Sequence, residues 1–194
     1  TGIDFAAATV IDSSLSSNAF GGPGLAALDV DVDGDLDLVV STAELTVYEN
    51  LGGSFTAPVT IDDVSLGSTI YAADIDGDGD DDIVGVIGGN AVWYENFSNG
   101  DFRAQQSLSE GDFASDLAVG DLDGDGDTDV VLRDATTGEL IWVENGLFGP
   151  VAHAPIGIAQ GAFVVGDLDG DGDGDVVALD PTNNGFITFV NPQI

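Results

Sequence analysis

Residues 121–131 read DLDGDGDTDVV, with a carboxylate at every second position through Asp129 and glycines among them. Two carboxylates about 4 Å apart repel by roughly 4 kcal/mol at an effective dielectric near 20. Such a segment is either unfolded and solvated or gathered around a positive charge. The pattern returns as DVDVDGDLDLVV from Asp29, DIDGDGDDDIVG from Asp74 and DLDGDGDGDVVA from Asp167. All four loops obey D-x-D-x-D-G-x-x-D, with carboxylates at positions 1, 3, 5 and 9 and glycine at 6. Alternate spacing lets a curling loop turn three carboxylates inward. Glycine at 6 permits the tight turn, position 7 offers a backbone carbonyl, and the carboxylate at 9 closes the far side. A cage of hard oxygens suits Ca²⁺, which takes 6 to 8 of them, better than Mg²⁺, which demands tight octahedral geometry.

Four Ca²⁺ sites are therefore expected. Their side-chain ligands would be Asp29, Asp31, Asp33 and Asp37; Asp74, Asp76, Asp78 and Asp82; Asp121, Asp123, Asp125 and Asp129; and Asp167, Asp169, Asp171 and Asp175. Asp35, Asp80, Asp127 and Asp173 would add backbone carbonyls. The loop opens like an EF-hand but does not end like one. Position 12 is Val40, Gly85, Leu132 or Ala178 in place of a bidentate Glu, and the flanks read as strands. The first loop has Val32 where the others have glycine, at a position not expected to require it. Four ions would move the net charge from −34 to −26. Without them the crowded carboxylates should destabilise the fold, which couples metal binding to folding.

The elements that must hold these loops repeat with them. The loop starts are 45, 47 and 46 residues apart. TVYEN ending at Asn50, WYEN at Asn96, WVEN at Asn145 and TFVN at Asn191 keep the same beat, and so do Phe55 to Ile61 and Phe102 to Leu108. After Phe148 the interval stretches by two, to Ile156. A fixed period in the forties signals a stacked or radial repeat. Each repeat divides into a small-apolar strand, the acidic loop, a Val/Ile-rich strand, an aromatic strand and an outer strand, with Gly/Asn/Asp turns between. No sustained helical periodicity appears. The expected fold is all-β, a β-propeller-type array of four four-stranded blades.

The chain reads as one repeat domain over 1–194, with repeats at about 22–62, 68–109, 113–157 and 161–194. The last repeat stops after its aromatic strand, while residues 5–12, with Phe5 six before Ile11, match the outer-strand pattern. That strand is expected to complete the last blade, in cis as a closed ring or in trans as a head-to-tail homo-oligomer or filament.

Composition narrows the partners. The chain carries 36 acidic residues against two arginines, no lysine and no cysteine. That surface repels nucleic acid, and no apolar run approaches the roughly 20 residues that insert into a membrane. Disulfides and thiolate chemistry are excluded. The chain begins at Thr1, as a processed product or a fragment would.

The D-x-D-G-D-G-x-x-D loop, the apolar strand after it and the WYEN-type strand together resemble VCBS/FG-GAP repeats. These are similar to the calcium-binding blades of integrin α-chain propellers and of many bacterial and algal surface proteins. The resemblance spans about residues 22–191 and the strand at 5–12. It implies a β-propeller, calcium at the loop aspartates named above, and a secreted, extracellular or cell-surface setting. Such propellers commonly have seven blades; this chain has four repeats.

Three functions follow. The first is a non-catalytic extracellular calcium-binding protein with a structural, adhesive or self-assembling role. The second is a carbohydrate- or protein-binding module, a lectin or adhesin whose partner is a glycan or surface protein. The third, a polysaccharide-active enzyme, would need paired carboxylates, and only Glu44, Glu49, Glu95, Glu110, Glu139 and Glu144 lie outside the acidic clusters as glutamates. No enzyme is expected. Trp93 and Trp142 occupy equivalent positions and are read as packing between blades. His153 is read as an edge residue, Arg133 as ion-paired, and Asn96 in NFS as a glycosylation sequon.

Overall fold

The computed structural model describes residues 8–15, 24–67, 69–109, 114–146 and 150–192. Valine, isoleucine and leucine at alternate positions, bounded by glycine and aspartate turns, give extended chain throughout, and no described residue is helical. The first antiparallel sheet runs in the order β1 (Gly24–Leu28), β2 (Asp37–Ser41), β3 (Leu45–Tyr48), β4 (Val59–Asp62). The second runs β5 (Ile70–Ala73), β6 (Asp82–Ile87), β7 (Asn90–Tyr94), β8 (Gln106–Ser107).

The third contains β9 (Ala114–Gly120), β10 (Asp129–Asp134) and β11 (Glu139–Glu144), with β12 (Val151–Ala152) and β13 (Gly157–Ile158) both paired to β11. Its outer strand is thus broken in two, where the sequence interval stretches and Pro155 can donate no ladder hydrogen bond. The fourth sheet has three strands: β14 (Phe163–Gly166), β15 (Asp175–Asp180), β16 (Gly185–Phe189).

Three apolar cores lie between successive sheets. Leu28, Val39 and Leu45 of the first sheet meet Ile70, Ile83 and Tyr94 of the second. Val84 and Trp93 meet Leu117, Val130 and Leu132. Ala118, Val131 and Leu140 meet Phe163, Val176 and Ala178. The sheets come close: a Cβ on Gly120 of β9 would stand 2.6 Å from Val165 Cγ1 of β14, so only glycine fits there. The innermost strands follow in series, β1 beside β5, β5 beside β9 and β9 beside β14, with no comparable contact from β14 back to β1. Among the described residues the array is not closed into a ring.

The expected outer strand at 5–12 is described only from residue 8. Residues 8–12 form no strand there and lie against the first sheet, where Tyr48 Oη donates to Asp12 Oδ2 at 2.7 Å. They do not pair with β16. Over these residues the last sheet is therefore not completed within the chain, and the segment is seen instead beside sheet one, tied there by the Tyr48–Asp12 hydrogen bond.

Candidate metal centres

Each acidic loop joins the first strand of its sheet to the second, so all four stand at equivalent places. The loop is built by its own aspartates, as short carboxylates accept hydrogen bonds from backbone amides a few residues on. At position 1, Asp74, Asp121 and Asp167 each accept from the amides of positions 4 and 6, at 2.6–3.2 Å. Position 5 accepts from the amide of position 7 in all four loops, at 2.9–3.3 Å. Position 6 glycines have φ of 94–102°, the left-handed region the turn requires. So does position 4, where Gly77, Gly124 and Gly170 have φ of 75–85°. Val32 holds φ 60° there, so the position takes a side chain but in the left-handed region that glycine adopts more freely. In that loop Asp29 accepts from the amides of Asp33 and Gly34 instead.

Position 9 differs from the rest. Asp37, Asp82, Asp129 and Asp175 are fully buried at the start of the second strand. One oxygen of each accepts from the amide of position 2 (Val30, Ile75, Leu122, Leu168) at 2.8–2.9 Å. The other accepts from the amide of Asn50, Asn96, Asn145 or Asn191 at 2.7–2.8 Å. This aspartate therefore fastens the acidic loop to the end of the aromatic strand. Its Asn partner recurs in the sequence with the same period, which is the signal that could have exposed the clamp.

The carboxylates converge as triads whose ligand atoms lie within 4.8 Å of one another: Asp29, Asp31 and Asp33; Asp74, Asp76 and Asp78; Asp121, Asp123 and Asp129; Asp167, Asp169 and Asp175. These clusters could hold metal ions. Positions 1 and 3 belong to every triad, joined by position 5 in the first two loops and by position 9 in the last two. Asp35, Asp80, Asp127 and Asp173 enter none of these four side-chain triads. The side chain of Asp80 instead accepts from Ser98 Oγ.

The electrostatics ask for a cation. At position 3, burial and then the neighbouring carboxylates raise Asp31, Asp76 and Asp169 above the usual range, and burial does the same for Asp123. Burial pushes Asp82 up to about 7 and Asp129 to about 6. Burial, with Asp171 alongside, raises Asp173 to about 6. Asp31 Oδ1 is buried with no hydrogen-bond partner. The arginines are engaged elsewhere, Arg103 with Glu95 at 2.5 Å and Arg133 with Asp116 at 3.4 Å. An oxygen-only donor set with a partnerless buried carboxylate oxygen fits a hard divalent ion.

Between successive loops lie two equivalent cavities. One, of about 540 Å³, is lined by Asp76, Trp93, Asp127 and Asn145; the next, of about 500 Å³, by Asp123, Trp142, Asp173 and Asn191. Trp93 is buried between the second and third sheets, the packing role expected. Trp142 is partly buried and stacks on His153, with centroids 4.1 Å apart and planes at 16°. His153 Nε2 lies 2.5 Å from Glu144 Oε2. Asn96 is fully buried, and its Nδ2 donates to Asp81 O at 3.3 Å. The sequon's acceptor nitrogen is closed to solvent, because the loop uses this asparagine to tie its strands together.

The family model of the FG-GAP-like repeat matches three times, over residues 29–85, 74–132 and 121–178. The chain belongs to the FG-GAP-like repeat family. None of the curated proteins matches it. Among solved structures it resembles an Agrocybe aegerita lectin described as recognising non-reducing terminal N-acetylglucosamine, with a TM-score of 0.62 and 22% identity. That match covers 80% of this chain and 46% of the lectin, so the chain spans under half the length of that structure. The V. cholerae biofilm matrix protein Bap1 matches with a TM-score of 0.47 and 22% identity, over 87% of this chain and 29% of Bap1. A Bacteroides caccae protein of unknown function matches with a TM-score of 0.45 and 14% identity, over 87% and 60%. No helix among the described residues is long and apolar enough to cross a membrane.

Proposed function

We propose that this chain is a non-catalytic, calcium-stabilised repeat module that works outside the cell in a structural or adhesive role. The observation that carries the reading is the fourfold recurrence of a carboxylate triad at one place in the repeat, positions 1 and 3 always lying within 4.8 Å of each other and of a third carboxylate. In each loop positions 1 and 3 would supply ligands, with position 5 or 9 completing the side-chain set. Calcium would neutralise carboxylates that already hold the loop backbone, and so lock first strand to second. Extracellular modules of this type work at Kd values of about 10⁻⁴–10⁻³ M, matched to the calcium outside cells. Four of the six glutamates have side-chain partners: Glu95 with Arg103, Glu144 with His153, Glu44 with Thr60 and Glu139 with Thr137. Glu49 is tied to Thr56 through its backbone, and Glu110 lies outside the described residues. The test is calorimetric titration of chelator-stripped protein with Ca²⁺. Uptake near four equivalents is expected, and no heat or uptake at millimolar calcium overturns the reading.

A glycan-binding role is the second reading, favoured by the two tryptophan-lined cavities with an aspartate and an asparagine in each. Carboxylate and amide groups beside apolar side chains suit the hydroxyls and apolar face of a sugar ring. The fold shared with a lectin makes N-acetylglucosamine-terminated glycans the first probes for an array.

A further inference from the structure

Equivalent positions in the four repeats make the two ends of the array readable. Four residues before each loop stand Leu25, Ile70, Leu117 and Phe163. The last three are buried against the preceding sheet, at 6%, 1% and 5% exposure, whereas Leu25 is 63% exposed. At loop position 2 stand Val30, Ile75, Leu122 and Leu168. The first three are buried against the following sheet, at 2%, 5% and 3%, whereas Leu168 is 52% exposed. Five residues before the repeated asparagine, Leu45, Ala91 and Leu140 are fully buried and Phe186 is 72% exposed. Sheet one lacks a preceding neighbour, and sheet four lacks a following one. Their open faces are the two halves of an interface the chain builds three times internally.

Hydrogen bonds at the internal junctions continue the argument. The carbonyls at position 2 accept from the next repeat: Val30 from Gly100 N at 3.0 Å, Ile75 from Asn145 Nδ2 at 2.5 Å and Leu122 from Asn191 Nδ2 at 2.6 Å. The Leu168 carbonyl holds the corresponding place on sheet four. Across the first junction Tyr94 Oη donates to Asp62 Oδ2 at 3.0 Å, where Asp62 ends the sequence VTID of outer strand β4. Tyr48 of sheet one makes the same bond to Asp12, which ends TVID at residues 9–12. Residues 9–12 thus stand against sheet one as the outer strand of a preceding sheet would. The rest of that sheet is missing, and sheet four is the sheet without an outer strand.

We infer that a second copy of this chain supplies the missing neighbour. Sheet four of one copy docks on the Leu25 face of the next, and β16 pairs with residues 8–12 of that next copy. The contact is heterologous, so it either closes or propagates as a filament. Two copies bring eight sheets, within the four to eight of closed propellers. The inference deepens the structural role proposed above but does not depend on calcium being the bound ion.

Light scattering after size exclusion, on the full chain in millimolar calcium, reads it. Assemblies at twice 19.7 kDa or higher multiples are expected. Phe186→Asp and Leu25→Asp, both at exposed positions that should leave the circular dichroism spectrum unchanged, should each run as monomers. Mixed together they should give a dimer and nothing larger, because each keeps one intact face. A wild-type monomer overturns the inference, and so does an assembly that neither substitution reduces. Equilibrium dialysis of calcium against the two variants reads the calcium proposal separately.

Discussion

Two aspartates six residues apart in the same loop do opposite things. Position 9 is buried and fastened by two backbone amides, so the folded backbone supplies its partners. Position 3 is raised by burial and by its neighbours, and in the first loop keeps a buried oxygen with no partner. The difference teaches that the D-x-D-x-D-G-x-x-D pattern combines a structural device with a charged one. In the first two loops position 9 should behave as part of the fold whether or not metal is present, while Asp129 and Asp175 in the last two also belong to the carboxylate triads. Positions 1, 3 and 5 should pull the fold apart until a cation arrives.

Removing calcium should produce the largest change. A site at tenfold its Kd contributes about 1.4 kcal/mol to stability, and four such sites are proposed along the array. Chelation should therefore lower Tm steeply, and magnesium should restore it less than calcium does, as differential scanning calorimetry would read. A chelated protein melting at the same temperature would remove the distinction between the two positions.

Asp82→Ala comes next. It leaves the amides of Ile75 and Asn96 without their acceptor, and each buried unsatisfied donor costs about 1–3 kcal/mol. A loss of about 2–4 kcal/mol is expected with chelator present as well as with calcium. Asp76→Asn should do the reverse: calcium uptake falls by about one equivalent, while the metal-free protein keeps or gains stability because one repelling charge is gone. Denaturant melts of both variants, with and without calcium, would check the contrast. Equal destabilisation of the metal-free state by both would abolish it.

Acidity sharpens the same comparison. Burial pushes Asp82 up to about 7 and Asp129 to about 6, from an ordinary value of 3.8. Between those values the metal-free native state binds more protons than the unfolded chain, so these groups favour folding below about pH 4 and lose that contribution as pH rises through about 6 to 7. Chelated protein should therefore melt lower at pH 8 than at pH 5. With calcium the slope should invert, because the ion binds only ionised carboxylates. A chelated Tm that climbs with pH would contradict the burial argument.

Much of this was legible because it repeats. The loop spacing, the Val/Ile strands and the WYEN strands give four antiparallel sheets, and the Phe marker finds its reason in the bridges Asn50–Phe55 and Asn96–Phe102. The clamp was missed, since sequence spacing shows that Asp82 and Asn96 co-occur but not that a carboxylate joins them. The place of residues 8–12 was missed for a different reason. Their pattern is that of an outer strand, but a strand's partner is a tertiary choice, and the face of sheet one was the nearest uncovered apolar surface. Trp142 stacking on His153, and the Glu144 contact that orients that ring, depend on a cross-strand neighbour that no local pattern encodes.

The smallest effect separates the first loop from the other three. Val32 holds φ 60° where Gly77, Gly124 and Gly170 hold 75–85°, and the left-handed region costs a side chain with a Cβ about 1–2 kcal/mol. Val32→Gly relieves that strain, while glycine returns about 0.5–1 kcal/mol by loosening the unfolded chain. A net gain of about 0.5–1 kcal/mol is expected. The loop should also gain the position 4 amide bond that Gly77 and Gly124 make to position 1 at 2.8 Å, since its aspartates and its position 6 glycine match theirs. Calcium affinity at this loop should rise with stability, because a turn already in its bound shape gives up less entropy on binding. If stability rises and affinity at the first loop does not, the strain belongs to the fold alone and positions 1 and 3 are already set for the ion. If neither rises, the valine is accommodated by the Asp33 amide, which bonds Asp29 in place of the position 4 amide.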